Sequence, residues 1–187
     1  MNLSSVTKTS ADFAIQPGAI ASAAPRSVSR TVEEVREALG EMWLPRLYRE
    51  RILILRTRSH HLDVPAKENS VEVQHTLLGV ELKVGRHRML RPDLATARYL
   101  AVFARAGCQD VAVPYDITKI SSLADELESG WHRMLLLIER AAATRHAVFR
   151  QRARSLLVRD VREEITSAGA GTAIPQFNQN TKQRHAR

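Results

Sequence analysis

Residues 78–91 read Leu-Gly-Val-Glu-Leu-Lys-Val-Gly-Arg-His-Arg-Met-Leu-Arg, and the reading of this stretch decides the fold. Val80, Leu82 and Val84 alternate with Glu81 and Lys83, the period of two that marks a strand with one covered face. Glu81 and Lys83 therefore point the same way, roughly 7 Å apart along the strand. The strand runs out at Gly85 into a cationic loop carrying Arg86, His87, Arg88 and Arg91. Residues 71–77 alternate as well, with Val71 and Val73 inward and Glu72, Gln74 and Thr76 outward. Apolar positions are odd up to Leu77 and even from Leu78, so the chain needs a bulge or a tight reversal at Gly79. A reversal into a hairpin is favoured. Either form turns Glu81 and Lys83 away from the core.

Upstream, Thr31-Val32-Glu33-Glu34 is a capping box that opens a helix with Val32, Val35, Leu39 and Met42 or Trp43 on one side. Pro45 ends that helix near Trp43. Residues 51–58 then read as a strand covered on both faces, because Ile52-Leu53-Ile54-Leu55 is apolar throughout. His60, His61, Asp63 and the run Lys67-Glu68-Asn69 make a polar connection to the hairpin. Downstream, Pro92-Asp93 opens a helix whose apolar side includes Leu94, Ala97, Leu100 and Phe103, and Gly107 stops it. Residues 110–117 form a strand that Pro114 confines to an edge or interrupts. A helical region opening at Ser122-Leu123-Ala124-Asp125 continues to Ile165, too long for one globular helix, with a break expected at Gly130 or at Ala143-Thr144.

The fold expected is α/β or α+β: a small mixed sheet of three to five strands, about four flanking helices, and a long helical region from residue 121. Residues 1–30, rich in Ser, Ala and Thr, and residues 168–187 read as mobile tails around a single domain at 31–167. Cys108 is the only cysteine, so an internal disulfide and a thiolate metal cluster are excluded, which fits a reducing compartment. No apolar run is long enough for a membrane span. The expected location is intracellular, cytoplasmic or nucleoid-associated. Organelle targeting stays open on the acid-poor opening residues, although no amphipathic helix accompanies them.

The net charge is +8, and 23 of the 28 basic residues are Arg, whose planar fork suits phosphate. An anionic partner is the first expectation, nucleic acid before a membrane surface. Helix, strand, strand, strand with Glu81-Leu82-Lys83, helix, strand is an order that resembles the PD-(D/E)XK nuclease superfamily over residues 31–118. The resemblance implies a divalent metal, Mg²⁺, held by Glu81 and an upstream carboxylate, with Lys83 orienting the attacking water. No Pro-Asp precedes the Glu-x-Lys here; Pro92-Asp93 follows it. Asp63 is the first choice for the upstream carboxylate and metal ligand, and Glu72 the alternative. Glu33, Glu34 or Glu37 would supply the extra acid that some members use.

A second constellation is the Arg-rich helix. Seven arginines fall between Arg140 and Arg162 against one acid, Asp160, and Arg145, Arg152 and Arg159 repeat every seven residues on one stripe. Such a face meets successive phosphates and reads no bases. It is equally the pattern of a solvated helix, or of one paired to an acidic partner or a second copy of the chain. The histidines (His60, His61, His75, His87) lack a zinc-ligand spacing. Three functional readings follow. The first is a phosphate-backbone-binding, nucleic-acid-associated protein using Arg86, Arg88, Arg91, Arg140, Arg145, Arg152 and Arg159. The second is a metal-dependent nuclease using Glu81, Lys83 and Asp63 or Glu72. The third is an assembly subunit that binds no nucleic acid.

Overall fold

A computed structural model describes residues 27–171; the two terminal stretches read above as tails lie, for the most part, outside these residues. The chain is mixed α and β, with four long helices and five strands in two small antiparallel sheets. All strand pairs are antiparallel, and the sheet expected as one unit is two: β1 (Thr57–His61) with β5 (Asp110–Pro114), and the meander β2 (Val71–Thr76), β3 (Gly79–Val84), β4 (His87–Arg91). The hairpin at Gly79 forms as expected, with Thr76 opposite Gly79. Leu82 and Val84 are buried on the inner face, which packs on α3 (Leu94–Ala106). The other side of α3 carries α4 (Ile117–Ala141), and α5 (Ala147–Ala168) packs across α1 (Val28–Leu39) and α4.

Five local expectations change. Ser27, not Thr31, caps α1: its Oγ accepts from Arg30 N at 3.2 Å, so residues 28–30 are the first turn of a helix rather than the end of a tail. Thr31 is buried one turn in and donates its hydroxyl back to Ser27 O. Pro45 does not close a helix but opens one, α2 (Leu44–Leu47), which continues into a π-type turn, Tyr48–Ile52. The apolar run at 52–55 is therefore helical turn, not strand; Ile52 is fully buried while Ile54 is 73 % exposed. A short apolar run fits either structure, and the strand begins only at Thr57, which puts His60 and His61 in β1. The cationic loop after Gly85 is a strand, β4, joined to β3 by a two-residue turn. Asp116 caps α4, accepting from Thr118 N at 3.0 Å and from its hydroxyl at 2.6 Å, so that helix starts five residues before Ser122.

Other expectations stand. Asp93 caps α3 through Thr96 N at 2.7 Å, and Gly107 closes it in the left-handed region at φ 78°. A side chain on Gly107 would run into the backbone of Lys67, so the same glycine also permits the close passage of the β1–β2 connection. The break between the long helices falls after Ala142, while Gly130 stays helical and lets α4 approach Met42 O and the Leu44 and Leu47 methyls.

Two tyrosines finish the open edge of β5. Tyr48 Oη accepts from Ala112 N at 2.8 Å and donates to Gly169 O at 2.7 Å; Tyr99 Oη donates to Ala112 O at 2.6 Å. Both backbone groups of Ala112 that β1 does not use are thus satisfied by side chains, and the residues after α5 are tied to the core. Burial pushes the Tyr48 hydroxyl up to about 12 and Tyr99 well above its ordinary value.

Candidate functional site

Strand register divides the residues singled out in the sequence. On the outer face of the meander, Glu72 stands opposite Lys83 and Lys83 opposite Arg88, with Gln74 opposite Glu81 and Glu81 opposite Leu90. Lys83 Nζ pairs with Glu72 Oε2 at 3.0 Å, and Gln74 donates to the same oxygen at 2.9 Å. Glu81, with its side chain 15 % exposed, has Arg88 Nη1 at 3.5 Å from Oε1, an ion pair that is not a hydrogen bond and leaves that oxygen without a donor. The strand thus presents alternating charges that largely neutralise one another.

Asp63 is elsewhere. It stands 84 % exposed beside His87, Nδ1 to Oδ2 at 3.5 Å, and His87 shares the inner-face parity of Val84. Asp63 and Glu81 are therefore held from opposite faces of the meander. Glu72 is the upstream carboxylate on Glu81's face, and it is committed to Lys83. Among the described residues no three His, Cys, Asp or Glu side chains converge on a point that would hold a metal. The residues present do not fit the Mg²⁺ centre that the resemblance implies.

The arginines of the last two helices separate in the same way. Arg154 is bidentate to Glu68 of the β1–β2 connection (Nη2 to Oε1 2.6 Å, Nε 2.9 Å) and also reaches Glu139 at 3.1 Å. Arg159 lies beside Asp160 and Glu163 at 3.6 and 3.5 Å, and Arg162 reaches Ala106 O. Arg140, Arg145, Arg150 and Arg152 have no carboxylate within ion-pair distance among the described residues. Arg140 ends α4, Arg145 lies in the connection with its guanidinium 5.5 Å from the Phe149 ring, and Arg150 and Arg152 occupy the first turns of α5. The seven-residue stripe is thus not one helix face, because Arg145 precedes the helix. The helix itself begins at Ala147, and His146 at its N-cap position makes no side-chain cap. Beside this corner a cavity of about 380 Å³ is walled by Ile138, Glu139, Ala143, Arg150, Gln151 and Arg154.

Arg91 also parts from its neighbours. Arg88 faces outward, but Arg91 shares the other face with Met89 and points into the seam between the two sheets, where its Nη1 donates to His60 Nε2 at 3.0 Å. The sequence carries no signal for this contact, since 31 residues separate the partners. Burial, then Arg91, Arg58 and His61, holds the His60 imidazole below its ordinary value.

Compared with known proteins, the chain matches no family model, no curated protein and no solved structure. The class that the fold defines is a mixed α and β protein, and among the described residues no helix is long and apolar enough to cross a membrane.

Proposed function

We propose that this chain binds the phosphate backbone of nucleic acid at the α4–α5 corner, through Arg140, Arg145, Arg150 and Arg152. The observation behind this reading is the asymmetry within one run of arginines: Arg154 and Arg159 have carboxylate partners and Arg162 a backbone carbonyl, while these four have no carboxylate partner among the described residues. Four cations around an uncapped helix start offer charge and amide donors to phosphate oxygens. Arg86, at the exposed β3–β4 turn, and Arg88 are secondary contacts, Arg88 being drawn toward Glu81. Among the described residues the corner presents phosphate contacts and no base-reading set, so its affinity depends on charge and salt rather than on sequence.

The test is fluorescence anisotropy with mixed-sequence duplex and single-stranded DNA and RNA across a salt series, with Mg²⁺ or EDTA. Wild type should show log affinity falling linearly with log salt. Changing all four corner arginines to Gln should lower the slope on duplex DNA by about 3 to 4. Arg154→Gln, whose partner is Glu68, should leave the slope unchanged. Absence of salt-dependent binding in wild type would sink this reading and favour an acidic protein partner or a second copy of the chain on the corner. Metal-dependent cleavage lost in Lys83→Ala would return the outer face of β3 to consideration.

A further inference from the structure

We propose that the seam between the two sheets is a binding site for one phosphate group, free or as a monoester, formed by Arg91 of β4 with Arg58 and His60 of β1. Arg91 is a half-buried cation that no carboxylate among the described residues neutralises. Of its five N–H donors, one goes to His60 Nε2 and one to the Met89 sulfur, a weak acceptor at 3.1 Å. The Nε–H is shut off from solvent and has no acceptor. Two Nη hydrogens remain for a ligand. Leaving a guanidinium in this condition costs stability, since it has lost water without gaining a counter-charge.

The acids that could have answered it are engaged. Asp93, two residues on, has its two carboxylate oxygens on Thr96 N and Thr96 Oγ1. Asp63 lies with His87, and Asp110 with His61 at 2.9 Å. Arg58 shares the face of β1 that carries His60, one strand repeat or roughly 7 Å along, and adds a second fixed positive charge. Two permanent cations match a dianion, which favours phosphate over a carboxylate, and the guanidinium fork donates to two of its oxygens side by side. Burial first, then the charges of Arg91, Arg58 and His61, disfavours the His60 imidazolium, and its Nε2 accepts from Arg91. A bound dianion reverses that balance and favours the imidazolium, whose Nε2–H then donates to a phosphate oxygen in place of accepting from Arg91.

This site is independent of the α4–α5 corner. The experiment is calorimetric titration and thermal unfolding of the full chain with inorganic phosphate, ribose 5-phosphate and acetate, each against chloride at equal ionic strength. Phosphate should raise the unfolding temperature where chloride does not, acetate should do little, and the His60 Cε1 proton resonance should titrate at higher pH with phosphate present. Tighter binding of ribose 5-phosphate than of inorganic phosphate would identify an organic monoester as the ligand, and the reverse a free ion. Arg91→Met should abolish the response. Arg58→Ala, at an exposed position that leaves the fold alone, should weaken binding about tenfold. Both variants should keep the wild-type salt slope on nucleic acid. A response to phosphate no larger than to chloride, or an Arg91→Met protein that responds like wild type, would overturn the proposal.

Discussion

Glu164 and Arg91 are opposite cases in one molecule. Around Glu164 of α5 three donors gather: Arg36 of α1 at 3.0 Å, Arg49 of the π-type turn at 3.6 Å, and Trp43 Nε1 at 3.3 Å. Arg36 also lies over the Trp43 ring, 5.4 Å from its centre. One acid thus binds three separate elements to the last helix. Arg91 is a cation with no carboxylate partner among the described residues. The same residue type, in a chain of uniformly basic composition, is used for the fold at one place and left available at the other. A basic isoelectric point therefore says little by itself about where a protein binds anions; what matters is which cations the fold has already neutralised.

Breaking the Glu164 centre should give the largest change in stability. Glu164→Ala strips two guanidinium groups and an indole N–H of their shared acceptor, and should cost about 2 to 3 kcal/mol, seen as a fall of about 6 °C or more in thermal unfolding. Tyr48→Phe comes next. It leaves Ala112 N and Gly169 O without partners and should cost about 2 kcal/mol in denaturant titration, with looser protection of the amides after residue 165 in hydrogen exchange. A paired comparison sharpens the contrast further. Arg36→Gln should lose about 1 kcal/mol, whereas Arg150→Gln should be neutral in stability and act only on polyanion affinity.

The smallest effect is a slope with pH. His60 titrates below its ordinary value in the folded chain, so the unfolded state takes up its proton first as pH falls. Its contribution is absent above the unfolded value near 6.5, and stability declines from there down to the lower folded value, then levels. His60→Gln should flatten that part of the stability profile in phosphate-free buffer. A profile with the same slope in both proteins would mean that the Arg91 seam is not the source of the shift.

Half of the net charge of +8 lies outside residues 27–171, on Lys8, Arg26, Lys182, Arg184 and Arg187 against Asp12. The isoelectric point that first suggested an anionic partner is thus only partly a property of the described residues.

The hairpin was legible in the sequence because its information is local: two alternating runs, a phase change, and Gly79 to absorb it. The same holds for α3, where Asp93 and Gly107 act on their own neighbours in the chain. The run at 52–55 misled because hydrophobicity alone does not distinguish a covered strand from a turn that drives Ile52 into the core. Ser27 was overlooked as a cap because Thr31-Val32-Glu33-Glu34 satisfies the same pattern one turn later. Sequence alone determined which residues alternate, where turns fall and how much positive charge the chain carries. Only the tertiary structure decided which charges remain, because what surrounds a charge depends on residues far apart in the chain, 86 apart for Arg154 and its neutralising Glu68, and 31 apart for Arg91 and His60, which leaves Arg91 charged. It also set Asp63 beside His87, whose strand parity is opposite to that of Glu81.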